Sequence, residues 1–327
     1  MPIEDWTDQP DPPREDSEGT ELSVSNQLEA SSSSQHEVSS RAYPETSGDA
    51  PFLVYRAPVH RIPNLADAIV FFLLLVVGFL IVIAALAVAL KLHWFGLRDY
   101  TSLMTNTRVA LGSQLAIYLV AYAIALPLYA TMWGRGLMDG LRWKPETALL
   151  LGKWLVVAAV LCNLLALLGN AVLPFPQHAP IDKLFTTPAD AWMLFAFGVT
   201  AAPFFEEMIF RGFLLPAAAT AWDWCAERFT GREPRQLDSE GYPVWSLSAM
   251  IFAALVVSAP FALMHAAQVS QAWGPLSLLY CVSLVLCAVR LGTRSLAASM
   301  MVHACYNFLL FAVMLVQTDG FRHLDKM

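Results

Sequence analysis

The chain has 327 residues, 57% of them hydrophobic and only 14% charged, with a formal net charge of −7. Soluble domains are typically about 45–50% apolar and about 25% charged, so this composition excludes an ordinary soluble enzyme. The charge is also divided, with twelve Asp and Glu against two Arg in residues 1–50 and fifteen acids against eighteen bases in the remainder. No basic patch interleaves with aromatics, so nucleic acid is not an expected partner.

Residues 1–62 contain the run Ser31–Ser34, scattered Pro and Glu, and few branched apolar residues. Such a segment cannot bury enough surface to offset its ordering entropy, and a disordered acidic tail is expected. No apolar core follows an early positive charge, so the first span is expected to insert the chain itself.

Seven spans are predicted near 66–90, 109–132, 149–173, 189–216, 247–268, 274–290 and 295–316. Each is long enough to cross a hydrocarbon core of about 30 Å at ~1.5 Å rise per residue. The expected fold is therefore all-α, a polytopic transmembrane helix bundle. It divides into a tail (1–62), N-terminal helices (63–188), polar-bearing helices (189–316) and a short C-terminal tail (317–327). Near the spans, ten Lys and Arg lie on the side of the N-terminal flank and the second, fourth and sixth loops, against six opposite. That bias predicts a multi-pass plasma-membrane protein with a cytoplasmic N-terminus. No internal repeat supports an inverted-repeat transporter. The cysteines, Cys162, Cys225, Cys281, Cys287 and Cys305, form no CxxC pair and read as small buried residues.

Ionisable residues inside a bilayer cost at least ~2.5 kcal/mol each and mark function or a partner. The fourth span carries Glu206, Glu207 and Arg211. On a helix Glu206 and Glu207 point ~100° apart, whereas Glu207 and Arg211 share a face one turn apart and can pair. Glu206 is left as the freer carboxylate and the better base. The fifth span ends in His265, alone more often a core residue than a ligand. The seventh holds His303 and Asn307 at i and i+4, which interhelical hydrogen bonding would explain equally well. Together the six residues suffice to split an amide with water. A carboxylate takes the proton. The two histidines hold the water directly or through Zn2+ or another divalent metal. The Asn amide donates to the oxyanion. Pro203 and Pro260 are expected to kink their helices and admit water. A non-catalytic scaffold and a proton-coupled transporter are the competing readings.

Glu206-Glu207-x-x-x-Arg211, Phe261-x-x-x-His265 and His303-x-x-x-Asn307 resemble the three signature motifs of the CAAX protease and bacteriocin-processing (CPBP) family. That family includes type II CAAX prenyl endopeptidases and lysostaphin-resistance-like proteins. The resemblance spans about residues 189–316. It implies an intramembrane endopeptidase, glutamate-dependent or metal-dependent, acting on a membrane-associated peptide or protein. Glu206 would activate water, Glu207 and Arg211 would shape the site, His265 and His303 would hold water or metal, and Asn307 would stabilise the oxyanion. An immunity or scaffold protein of the same fold is the alternative. HExxH is absent, so a zincin is excluded.

Two features stand apart. Residues 217–246 read as a roughly thirty-residue insertion with Trp222, Trp224, Trp245 and several Arg, suited to the headgroup region as a helix–linker–helix cover. His265 is also the nineteenth residue of the predicted fifth span, ~27 Å from its start on a straight helix. That is too deep to meet Glu206 and His303 unless the fifth span starts later, tilts strongly or breaks near Pro260.

Overall fold

The computed structural model describes residues 62–96, 99, 101, 106–176 and 180–326. The acidic tail lies outside the described residues apart from Ile62. The regular structure is helical, with one isolated bridge between Leu237 and Pro243. Among the described residues, seven helices are long and apolar enough to cross a membrane: α1 (Leu65–Lys91), α2 (Thr107–Trp133), α3 (Gly152–Val172), α4 (Pro188–Thr230), α5 (Leu247–Met264), α6 (Trp273–Thr293) and α7 (Leu296–Gln317). Their outer faces leave Leu73, Leu80 and Leu168 more than half exposed, a cost in water that lipid removes. The molecule is a multi-pass membrane protein.

Polar caps set several helix starts. Asn64, Asn106, Thr187, Ser246 and Ser295 each accept a backbone N–H of their first helical turn, satisfying donors the helix cannot. The capping box of α1 also explains Asp67, the one charge of the first span. Its Oδ2 accepts from the Asn64 amide at 2.9 Å and its Oδ1 from the Trp133 indole at 3.1 Å, so a buried carboxylate keeps its partners. Farther along, α1 meets α2 at Gly78, where a Cβ would fall 2.8 Å from the Ile117 carbonyl oxygen. Only glycine permits that approach. Phe71, Tyr129 and Phe213 stack in the core between α1, α2 and α4.

The largest departure from the sequence reading is α4. The predicted span ended at residue 216, but the helix runs on to Thr230, so the first half of the supposed 217–246 insertion is helical and only residues 231–246 form a loop. The long apolar-to-polar transition hid this, because the helix keeps its pattern while its outer residues become charged. The extension also removes the depth problem. The fifth span begins at Leu247 as read, so its start was not at fault. The Ser246 amide and hydroxyl donate to Asp223 at 2.9 and 2.5 Å, and the Trp245 indole donates to Thr220 at 3.0 Å. Seventeen residues separate Glu206 from Asp223 and nineteen separate Ser246 from His265, about 26 and 28 Å at 1.5 Å per residue. The two antiparallel arms match in length, and His265 arrives level with Glu206.

α4 is also not a uniform α-helix. Phe197–Ala201 and Met208–Leu214 are π-helical and flank the α-helical segment Ala202–Glu207. Each wide segment ends two residues before a proline. In the first, Ala202 N–H donates to the Phe197 carbonyl, five residues back. Pro203 has no N–H to continue that ladder to Gly198.

Candidate active site

The two π segments bracket the acidic pair, and both carboxylates are buried. Glu207 is the better connected. Its Oε1 accepts from Arg211 Nη1 at 2.8 Å and from His303 Nδ1 at 3.0 Å. Arg211, fully buried, donates through Nη2 to the Ser283 carbonyl at 3.1 Å and hydroxyl at 2.7 Å, and its guanidinium lies 4.4 Å from the Phe261 ring centroid. A chain of hydrogen bonds therefore runs from α6 through Arg211 and Glu207 to His303 on α7. Among the described residues, Glu207 Oε2 and Arg211 Nε are buried without a hydrogen-bond partner. That leaves the ion pair under-satisfied, in a place where replacement of either member is costly.

Glu206 sits outside this chain. Its Oε2 lies 3.7 Å from His303 Nε2 and 4.0 Å from His265 Nε2, too far for direct hydrogen bonds and suited to a bridging molecule. The tautomers follow from the other ring nitrogens. His265 Nδ1 is 2.9 Å from the Phe261 carbonyl oxygen, which only accepts, so Nδ1 carries the proton. His303 Nδ1 faces the Glu207 carboxylate and carries it for the same reason. In each neutral ring Nε2 is then left with its lone pair turned toward Glu206. Three acceptors converge, an arrangement that attracts the O–H groups of water or a cation. The apolar wall is Phe261, 5.2 Å from the His265 ring and 5.7 Å from the His303 ring.

Anchored Nδ1–H groups and a nearby carboxylate are donor chemistry appropriate to zinc. Among the described residues, however, no group of three or more His, Cys, Asp and Glu side chains is arranged to hold a metal ion. The set does not close around one as it stands.

Of the six sequence-derived residues, Glu206, Glu207, Arg211, His265 and His303 lie together. Asn307 is placed differently. Its Nδ2 donates to the Gly198 carbonyl at 2.7 Å, filling the acceptor that Pro203 cannot reach. One of its two amide N–H groups is thus committed to the π turn. Ser283 is the residue sequence reasoning missed. A serine in an apolar span carries no signal until a buried arginine is seen to end on it.

Residues 188–309, from the start of α4 through most of α7, match the family model described as type II CAAX prenyl endopeptidase, Rce1-like. Helices α1–α3 fall outside the match. Neither the curated proteins nor the solved structures compared with the chain gave a match.

Proposed function

We propose that this protein is a membrane-embedded endopeptidase in which Glu206 activates a water molecule to hydrolyse a peptide bond. The observation that carries the proposal is the convergence of the Glu206 carboxylate with two imidazole Nε2 atoms whose opposite nitrogens are both anchored. Water bound there donates toward these acceptors. Glu206 removes one proton as the water oxygen adds to the substrate carbonyl carbon. The oxyanion takes a hydrogen bond from the second N–H of Asn307. The protonated Glu206 then gives its proton to the departing amine nitrogen, the C–N bond breaks, and the carboxylate is regenerated. Glu207, Arg211 and Ser283 hold the tautomer and position of His303.

The match to a CAAX prenyl endopeptidase model supports a substrate presented at the membrane, with a prenylated C-terminus as the specific candidate. The alternative, a scaffold or immunity protein, has no use for the Glu206 arrangement. The test is cleavage of a quenched peptide library by protein purified in detergent, with farnesylated and unprenylated versions of one peptide alongside. Cleavage by wild type, lost in Glu206→Ala and His303→Ala, supports the enzyme. Wild type without cleavage of any peptide supports the scaffold. Chelation followed by zinc return on the same sample separates the metal-dependent from the glutamate-only form.

A further inference from the structure

A second polar site lies apart from Glu206, at the ends of the spans. A cavity of about 350 Å³ is lined by Arg135, Asp139, Arg142, Trp143, Lys144, Glu240 and Tyr242. It is built from the loop between α2 and α3 and the loop between α4 and α5, with Arg294 of the α6–α7 turn 3.5 Å from Asp238 beside it. These three connections share one side of the bundle, the side with the excess of Lys and Arg.

The site is firmly constructed. Arg142 has a left-handed backbone (φ 58°), and its carbonyl accepts from the Leu296 amide at 3.0 Å. Its side chain is 6% exposed, with the guanidinium 4.0 Å from the Tyr242 ring centroid. Arg142 Nε is buried without a hydrogen-bond partner among the described residues, although Nη2 meets Asp238 at 2.5 Å and Glu240 at 3.2 Å. Glu240 stands differently. Its side chain is 46% exposed, yet its two oxygens lie 2.5 and 2.7 Å from Lys144 Nζ. An exposed loop carboxylate occupies the anion position between an arginine and a lysine and leaves the buried arginine part-satisfied.

We propose that this cavity binds the phosphate headgroup of an anionic phospholipid, with Glu240 as the internal anion that the phosphate displaces. Arginine and lysine converging from different loops match the chemistry of phosphate recognition. The neighbourhood favours a lipid over free phosphate. Within ten residues of Lys144, Leu149 and Leu150 are 79% and 81% exposed and Trp154 is 63% exposed, as side chains in contact with acyl chains would be. Trp143 and Tyr242 in the lining are the residue types of the headgroup layer.

The experiment counts lipids retained by the full chain in a neutral detergent, by native mass spectrometry, after exposure to phosphatidylglycerol or phosphatidylcholine. The variants are Lys144→Gln and Glu240→Gln, neither of which belongs to the Glu206 site. Wild type is expected to retain phosphatidylglycerol preferentially. Lys144→Gln should weaken retention about fivefold, the value of one basic residue near a membrane surface, and Glu240→Gln should strengthen it by a similar factor. Millimolar inorganic phosphate should compete. Equal retention of the two lipids, or a preference that neither variant moves, overturns the proposal. Stabilisation by inorganic phosphate, lost in Lys144→Gln but with no lipid preference, overturns the lipid assignment and leaves a soluble anion as the occupant.

Discussion

Arg211→Met offers the most demanding test of how the site is held. The guanidinium is fully buried and the Glu207 side chain is 1% exposed, with 2.8 Å between them. Removing the cation leaves an uncompensated carboxylate in the bundle, for which breaking a buried pair costs about 3–5 kcal/mol. Because Glu207 Oε1 also accepts from His303, the imidazole's partner is no longer held in place, and disturbance of such an outer hydrogen bond typically lowers activity about 10–100-fold. The double variant Arg211→Met/Glu207→Gln carries no buried charge at these two positions. It should regain most of the stability but not the activity. Unfolding in mixed detergent–SDS micelles gives the first quantity, and kcat and KM on a cleaved peptide give the second, with the loss expected in kcat. If Arg211→Met unfolds within about 0.5 kcal/mol of wild type and turns over normally, the Ser283–Arg211–Glu207–His303 chain does not position the site.

Two further outcomes follow from other parts of the molecule. Asn307→Ala leaves the Gly198 carbonyl without its acceptor-filling bond, so it should cost about 1–3 kcal/mol in the same unfolding assay as well as lowering kcat; unchanged stability would place the π turn outside its influence. The 231–246 loop should detach in acid. Hydrogen bonds from Lys144 and then Arg142 hold the Glu240 carboxyl below the usual range. At Asp238 burial works the other way, but the Tyr242 amide and Arg142 outweigh it and hold that carboxyl low as well. A depressed carboxylate stabilises the fold above its ordinary pKa near 4 and loses that contribution as pH falls through the lower folded value. Amide exchange across the loop, corrected for intrinsic rate, should therefore rise only below about pH 4. A rise centred near pH 6 would point instead to histidine.

The spans were legible because lipid-facing helices advertise themselves by length and apolarity alone. All seven fall within a few residues of their expected bounds except the end of α4, where the helix passes Pro216 as it leaves the apolar zone and stops only at the left-handed cap of Gly231 (φ 68°). The pairing of Glu207 with Arg211 followed from one helical turn. The local spacing of His303 and Asn307 said nothing of their partners, and these turned out to be opposite in kind: a carboxylate 96 residues away and a carbonyl 109 residues away. The π segments were hidden for a different reason. Pro203 and Pro216 are visible in sequence as helix disturbances, but whether the chain kinks or widens depends on what stands ready to satisfy the freed carbonyl. At Gly198 that is Asn307, which only the packing of α7 against α4 supplies.

The role of Glu206 as the base is tested most directly by Glu206→Gln, which keeps the volume and the carbonyl oxygen but cannot take a proton. Cleavage of a substrate peptide should fall by about 10²-fold or more, with the unfolding transition unchanged from wild type. Glu206→Gln protein that folds normally and cleaves at the wild-type rate would contradict the account.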